Sequence, residues 1–238
     1  MTDRPRFPVG LTVATALALV LLLGLGTWQV ERLHWKEALL ARIAALQAAP
    51  AQPAASVLQR LATGGDVDFT RVVADCPGLP AAPFLELYGL RQGQAGVRLV
   101  SACRVAAGPY QSVLVDRGFM PDTVAARPAV DAAAAAPFRL VGVLRRPDRR
   151  NLFSPPNRPG HWFTRDIPAM AAALRAPAPA PVFLFAETPT NPELPALAPA
   201  PVPADIPNRH LEYALTWYGL AAALAGVYAA MLLKRRKG

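Results

Sequence analysis

The residue with the clearest chemical potential is a histidine at the start of the second of two long apolar segments. His210, Ala214 and Trp217 lie four and three residues apart, so they share one face of a helix, with Tyr213 beside them. An imidazole above a small residue and an aromatic ring could offer a nitrogen ligand to a flat apolar cofactor such as haem. The alternative is a histidine at a membrane surface, solvated by headgroups and water, and spacing alone favours this simpler interpretation.

Signatures of catalysis are absent from the sequence. It contains no Gly-rich phosphate loop and no C-x-x-C, H-E-x-x-H or G-x-S-x-G motif. The histidines are His34, His161 and His210, too few for a multi-histidine metal site. Asp116, within the run VDRGF, is predicted to begin a turn after a strand. The sequence therefore argues against an enzyme.

Two apolar segments must position these residues. The uncharged runs 9–30 and 213–233 are each long enough to cross a hydrocarbon core of about 30 Å as a helix. A cleaved signal peptide is the alternative for the first run, but that run exceeds the usual apolar length of about 7–15 residues and no A-x-A-like site follows it directly. The sequence therefore predicts five parts: a cytoplasmic tail (1–8), a first transmembrane helix (9–30), an extracytoplasmic domain (31–210), a second transmembrane helix (211–233) and a basic cytoplasmic tail (234–238).

Charge at the segment ends indicates the orientation. Four Lys and Arg residues at 234–237 follow the second run directly, whereas Arg209 and His210 precede it, and cytoplasmic flanks are the basic ones. Two spans place both termini on one side, so both tails are predicted to be cytoplasmic and the domain periplasmic. Few residues precede the first run, where a mitochondrial protein would usually carry a transit peptide, so a bacterial inner membrane is expected.

The net charge of +9 reflects this topology. Residues 1–8 contribute +1, residues 234–238 contribute +4, and the stretch between them contributes +4. The short basic tail is expected to rest on anionic headgroups, which makes the lipid membrane a partner. Nucleic acid is not an expected partner, because little of the charge belongs to the domain.

The segment between the spans is predicted to fold mainly as β-sheet. Apolar, β-rich runs lie at 69–74, 84–90, 97–105, 112–115, 138–144 and 182–186. Helical patterns continue from the first span over 32–46 and recur at 56–62 and 167–174. Pro-Ala stretches at 125–137, 176–181 and 192–207 are interpreted as loops or spacers, the last tethering the domain to the second span.

Two cysteines, Cys76 and Cys103, lie in strand-like segments of this domain. The predicted compartment permits a disulfide, but a bonded pair and two separate buried thiols both remain open. These patterns predict an α+β membrane protein in which two transmembrane helices flank a mainly β extracytoplasmic domain.

Three blocks of sequence, taken in order, resemble the surfeit locus one family of cytochrome c oxidase assembly proteins. They are LGTWQVERLHWK at 25–36, VLVDRGFMP at 113–121 and HLEYALTWY at 210–218. The family motifs to which they are similar are L-G-x-W-Q-x-x-R-x-x-W-K, V-x-R-G-W/F-V-P and H-L-x-Y-A-x-T-W-F/Y. The run NLFSPPN at 151–157, with Trp162 and DIPAM at 166–170, also resembles a family segment, whereas residues 96–103 depart from the family pattern.

The resemblance implies an assembly factor, not an enzyme, that aids maturation of the largest subunit of cytochrome c oxidase. Bacterial members are implicated in handling haem a, so the haem a synthesis machinery is an expected partner. The family's suggested axial ligand of the haem iron maps by motif onto His210, with Tyr213 and Trp217 nearby on the same helix. Arg32 and Arg209 are expected near the same membrane surface, where they could meet haem propionates or act as ordinary interface anchors.

Two other functions stay open. One is a scaffold or chaperone that binds oxidase subunits and never holds haem. The other is a membrane-anchored binding domain of the cell envelope, against which the matched blocks argue.

Small residues also predict that the two spans pack against each other. Ala222, Gly226 and Ala230 recur every four residues, and Gly24 near the end of the first span is expected to face them. The alternative is that alanine is merely abundant in this chain.

Overall fold

The computed structural model describes residues 8–147, 155–158, 160–200 and 208–237, apart from the side chains of residues 47, 236 and 237. Parts of four predicted segments lie outside these ranges: residues 1–7 and 238 of the tails, 151–154 of the NLFSPPN run, and 201–207 of the last Pro-Ala stretch. The chain divides into two compact units, a helical unit of Met1–Arg42 with Asp205–Gly238 and a sheet domain of Ile43–Ala204.

Two long helices build the helical unit. α1 spans Val9–Ala48 and α4 spans His210–Lys237, and both are long and apolar enough to cross a membrane. Large apolar side chains are exposed on both helices, among them Leu17 and Val20 on α1 and Leu215 on α4. Such surfaces are stable in hydrocarbon rather than in water, so the chain is a membrane protein.

The small residues predicted to join the two helices do not do so. Ala222, Gly226 and Ala230 are exposed on α4, and the space around Gly24 and Gly226 is open. The prediction chose the wrong face of α4, because spacing shows which residues share a face but not which face meets the partner helix.

The helices pack through a different face. A Cβ at Gly26 would lie 2.7 Å from Cε1 of Tyr218, so the aromatic ring occupies the space that a side chain there would need. The Tyr218 hydroxyl lies 3.1 Å from Thr27 Oγ1, and farther along the pair the Tyr228 hydroxyl lies 2.5 Å from Thr12 Oγ1. The expected packing of the two spans is therefore present, held by a ring against a glycine and by two hydroxyl pairs.

In the described part of the chain, seven strands form one mixed sheet in the order β1-β2-β6-β7-β5-β4-β3. The elements of the domain are β1 (Gln52–Pro53), α2 (Ala54–Ala62), β2 (Arg71–Asp75), β3 (Phe84–Arg91), β4 (Gln94–Ala107), β5 (Tyr110–Pro121), β6 (Arg139–Arg145), α3 (Ile167–Ala173) and β7 (Pro179–Ala186). Pairing is parallel between β1 and β2 and between β5 and β7, and antiparallel in the other pairs. The six predicted strands each overlap one of these, and the predicted fold class is confirmed.

Alternation along the central strands gives the sheet two apolar faces. On β5, Val113 and Val115 pack in one cluster with α2, whereas Leu114 packs in another with α3. The start of α3 is fixed by Asp166, whose Oδ1 accepts a hydrogen bond from the Ala169 N–H at 3.1 Å. Each short helix thus covers one face of the sheet.

The turn predicted at Asp116 is wrong. β5 continues through Asp116, Arg117 and Gly118 to Pro121. Between two paired positions β5 carries Arg117 and Gly118 opposite the single residue Leu99 of β4, which is a β-bulge. The bulge supplies the local irregularity that the sequence pattern suggested as a turn.

Two of the Pro-Ala stretches are more ordered than predicted. β7 begins at Pro179, inside the stretch 176–181, and Ala180 is fully buried. Leu197, inside the stretch 192–207, packs in a buried cluster with Val97 and Met120. The described part of that last stretch is therefore packed on the sheet and is not a free spacer. The stretch 125–137 contains neither helix nor strand, as predicted.

A disulfide joins Cys76 to Cys103, which settles the pairing that the sequence left open. It ties the connection after β2 to β4 across a sequence separation of 27 residues, and both cysteines are buried. Closing a loop of that length in the unfolded chain is worth about 3.5 kcal/mol.

Removing the disulfide should lower the thermal unfolding midpoint of the full-length protein by about 10 °C. The variant is Cys76→Ala with Cys103→Ala, and circular dichroism gives the midpoint. Reductant should produce a similar drop in the wild type and none in the double variant. Midpoints that neither the substitutions nor reductant change would contradict a stabilising disulfide.

Candidate functional site

His210 is the first residue of α4 and is half-buried against α1. Its Nδ1 lies 2.7 Å from Oε1 of Gln29, a half-buried residue of α1. An amide oxygen only accepts hydrogen bonds, so this contact fits the neutral tautomer that carries its proton on Nδ1 and its lone pair on Nε2. This hydrogen bond, like the Thr27–Tyr218 hydroxyl pair, joins the block at 25–36 to the block at 210–218.

The other predicted residues of α4 are placed in different ways. Ala214, one turn beyond His210, is 2 % exposed, so this alanine serves packing and does not offer a surface for a flat ring. Tyr213 is 53 % exposed and Trp217 is half-buried. An apolar ligand beside the imidazole would meet these aromatic side chains rather than the alanine.

The two predicted arginines are both exposed. Arg209 immediately precedes α4. Arg32 lies on α1 three residues after Gln29, and its guanidinium carbon is 5.8 Å and 5.3 Å from the ring centres of Trp28 and Trp35. Stacking on the two rings orders Arg32 and leaves it exposed to an anion or to headgroups.

Gln29 is the residue of this site that the sequence interpretation missed. It stands beside Trp28 at the exit of the first apolar run, and a polar side chain in an apolar helix pair commonly bonds across to its neighbour. Of the remaining histidines, His34 is exposed and His161 stacks on Tyr88 at 6.0 Å between ring centres. Among the described residues no cluster of three or more His, Cys, Asp or Glu could hold a metal ion.

A second group of polar residues lies inside the sheet domain. Asp116 is buried, and its Oδ2 accepts hydrogen bonds from Arg98 Nε at 2.6 Å and Arg165 Nη2 at 2.8 Å. Both guanidinium groups also lie over the Phe185 ring, 5.5 Å and 4.9 Å from its centre. A carboxylate held by two arginines is already fully engaged, so this arrangement links β4, β5 and the segment before α3 rather than offering a reactive acid.

Arg117, the next residue of β5, is fully buried. Its guanidinium donates to Pro80 O at 2.8 Å, to Thr190 Oγ1 at 3.2 Å, to Ser101 Oγ at 3.3 Å and to Asn191 Oδ1. Burial lowers the pKa of Arg117 to about 10, so the group is still charged at neutral pH. The guanidinium therefore locks the segment after β7 onto the sheet.

Comparison with known proteins shows the relationship of the chain. The model of the SURF1 family matches residues 16–222, which include Gln29, Arg117 and His210. This chain belongs to the SURF1 family. Surfeit locus protein 1 of Takifugu rubripes is 28% identical over 230 residues, which are 90% of this chain and 93% of that protein.

Other SURF1 relatives match over similar lengths. Surfeit locus protein 1 of Mus musculus is 29% identical over 227 residues, 89% of this chain and 72% of that protein. The SURF1-like protein of Monosiga brevicollis is 29% identical over 233 residues, 92% of this chain and 85% of that protein. The family predicted from the sequence blocks is confirmed, and membership supports a general role in cytochrome oxidase assembly.

Proposed function

We propose that this SURF1 family member holds haem a transiently on His210 and aids its delivery to the largest subunit of cytochrome c oxidase. The observation that carries the proposal is the hydrogen bond of His210 Nδ1 to Gln29 at 2.7 Å. It engages one ring nitrogen within the helix pair and leaves the other as the free nitrogen that haem iron requires. The haem a synthesis machinery would be the donor and the oxidase subunit the acceptor.

The surrounding residues fit haem as cargo. Tyr213 and Trp217 supply aromatic surface on the helix that carries His210, and the outward surfaces of both helices are apolar. Arg32 and Arg209 are exposed cations that can form charge-assisted hydrogen bonds to propionates. We assign no catalytic step to the protein: His210 would bind the iron, the aromatic side chains would contact the macrocycle, and the arginines would pair with the propionates.

The location we propose is a bacterial inner membrane, with both termini cytoplasmic and the sheet domain in the periplasm. Two features support it: the basic residues that end α4, such as Lys234 and Arg235, and the Cys76–Cys103 disulfide, which forms in oxidising compartments. The reductant experiment on this disulfide tests the location too. Protein isolated from cells with both thiols free would contradict a periplasmic domain.

The central test is His210→Ala in the full-length protein, co-expressed with the haem a synthesis enzymes. The variant should lose the Soret absorbance of bound haem a, because the imidazole nitrogen is gone, while membrane insertion persists on the remaining apolar residues of α4. Loss of at least 90 % of the bound haem is the expected scale, because removing the ligand should cost more than the roughly 10- to 100-fold lost when only a residue that orients a ligand is removed.

His34→Ala is the matched control, because His34 is an exposed histidine of the same helical unit. It should retain the wild-type spectrum. An unchanged spectrum in the His210 variant excludes His210 as the ligand. Wild-type protein that carries no haem at all, yet still supports oxidase assembly, would favour the scaffold function instead.

A further inference from the structure

We infer that Gln29 is a positioning residue that sets the tautomer of His210 and so decides which ring nitrogen can bind a metal. The inference rests on the proposed function only for the identity of the ligand, haem a. The effect of Gln29 on the His210 tautomer does not depend on that function. The observation behind it is the contact between Gln29 Oε1 and His210 Nδ1 at 2.7 Å.

The chemistry of the pair gives the direction of control. A neutral imidazole carries one proton, on Nδ1 or on Nε2, and only the other nitrogen has a lone pair for a metal. The Gln29 oxygen favours the tautomer with the proton on Nδ1 of His210. Because Nδ1 is also turned toward α1, Nε2 is the nitrogen left available. Without an acceptor at position 29 the proton is free to move to Nε2, which would block it.

The helix pair fixes Gln29 in place for this role. Gln29 lies three residues after Gly26, whose lack of a side chain admits the Tyr218 ring. The Thr27–Tyr218 hydroxyl pair, at 3.1 Å, sets the same register from a neighbouring position. The bond from Gln29 to His210 lies farther along the same helix pair. An acceptor on a helix that is held in register pre-orients the ring before any ligand arrives.

Two substitutions at Gln29 separate the effect of its hydrogen-bond acceptor from the effect of its size and shape. Gln29→Met keeps the length and approximate volume of the side chain but removes the acceptor. Gln29→Glu keeps an acceptor and makes it anionic, which strengthens the pull on the Nδ1 proton and raises the basicity of Nε2. Thr27→Val removes an interhelical hydrogen bond without touching His210, so it controls for a general loosening of the helix pair.

The experiment reads the tautomer directly in the protein without haem. Full-length protein labelled with ¹⁵N at histidine, in lipid nanodiscs, gives the shifts of both ring nitrogens, with His210→Ala assigning the signals. We expect the Nδ1–H form in the wild type, in Gln29→Glu and in Thr27→Val. Gln29→Met should shift the signal to a mixture or to the Nε2–H form.

Titration with haemin gives the second readout. Gln29→Met should weaken binding by about 10- to 100-fold, whereas Gln29→Glu should bind at least as well as the wild type and show a more negative reduction potential. An unchanged tautomer in Gln29→Met overturns the inference, whatever the haem result. If the tautomer shifts as expected but neither the wild type nor any variant binds haem, the positioning role of Gln29 stands and the proposed function fails.

Discussion

Replacing Arg117 with Met is expected to lower the free energy of unfolding of the sheet domain by about 3–5 kcal/mol. The guanidinium is fully buried and donates to groups on three separate segments of the chain, represented by Pro80, Ser101 and Thr190. Methionine fills most of the volume but removes the Arg117 donor from all three acceptors, of which Pro80 O keeps a hydrogen bond from Asn191 Nδ2 at 3.1 Å. Each buried acceptor left unpaired costs about 1–3 kcal/mol, so the apolar gain of methionine does not offset the loss.

The segment after β7 should be the first part of the domain to lose its structure in the Arg117→Met variant. Asn191, which accepts from Arg117, also donates to Glu193 Oε1 at 2.8 Å, and this hydrogen bond lowers the pKa of Glu193. Losing Arg117 therefore releases several polar contacts of residues 190–193 together. Hydrogen exchange of the full-length protein should show faster exchange in this segment before the rest of the domain.

Arg127→Met is the matched control for Arg117→Met. Arg127 Nε lies 2.5 Å from Glu86 Oε1, but the two side chains are 28% and 27% exposed. Partly exposed ion pairs contribute about 0–1 kcal/mol, so this substitution should move the thermal midpoint only slightly. Equal midpoints for the two variants would show that the buried guanidinium contributes no more than a surface one.

Features set by local chemistry could be predicted from the sequence. The two long apolar runs gave the spans because length and hydrophobicity suffice to specify them, and the β-rich runs gave the strands because alternate burial marks both faces of a sheet. His210 drew notice because it opens a span, and its role as a ligand stays a prediction. What these features share is that one segment alone carries the signal.

Features set by contacts between distant segments could not be predicted. Gln29 and His210 are joined across 181 positions. Arg117 bonds to Pro80, 37 positions before it, and to Thr190, 73 positions after it. Near Asp116 the one local signal that distinguished a bulge from a turn was Gly118. A single glycine inside a strand pattern favours a bulge. The small-residue contact between the spans failed for a similar reason: spacing shows which residues share a face, but the partner helix decides which face is buried.

Gly118→Ala is expected to lower the free energy of unfolding by about 3 kcal/mol or more, through strain and collision combined. Gly118 has φ of +132°, and a Cβ there would lie 2.3 Å from the carbonyl oxygen of Ala198. Ala198 is held in that place by two backbone hydrogen bonds with Phe119, at 2.9 Å and 3.0 Å. The backbone around Ala198 must therefore move away from β5 before an alanine side chain fits at position 118.

Gly108→Ala is the control for Gly118→Ala. Gly108 has φ of +59°, but nothing lies within 4 Å of a Cβ built on it. That substitution carries only the left-handed backbone cost of about 1–2 kcal/mol. The difference between the two thermal midpoints therefore reports the collision with Ala198 together with the greater backbone strain at Gly118. An equal drop in the thermal midpoints of the two variants would mean that the backbone around Ala198 moves aside without a cost in free energy.

Combining Gly118→Ala with Arg117→Met should cost less than the two single substitutions added together. Both act on the same segment: Arg117 holds it through Thr190 and Asn191, and Gly118 admits it at Ala198. Once one substitution has released the segment, the other has less to break, so the coupling free energy should be about 1 kcal/mol or more. Strict additivity would show that the guanidinium and the bulge support the sheet independently. The expected coupling would instead show that Arg117 and Gly118 act together to hold the segment after β7 on the sheet.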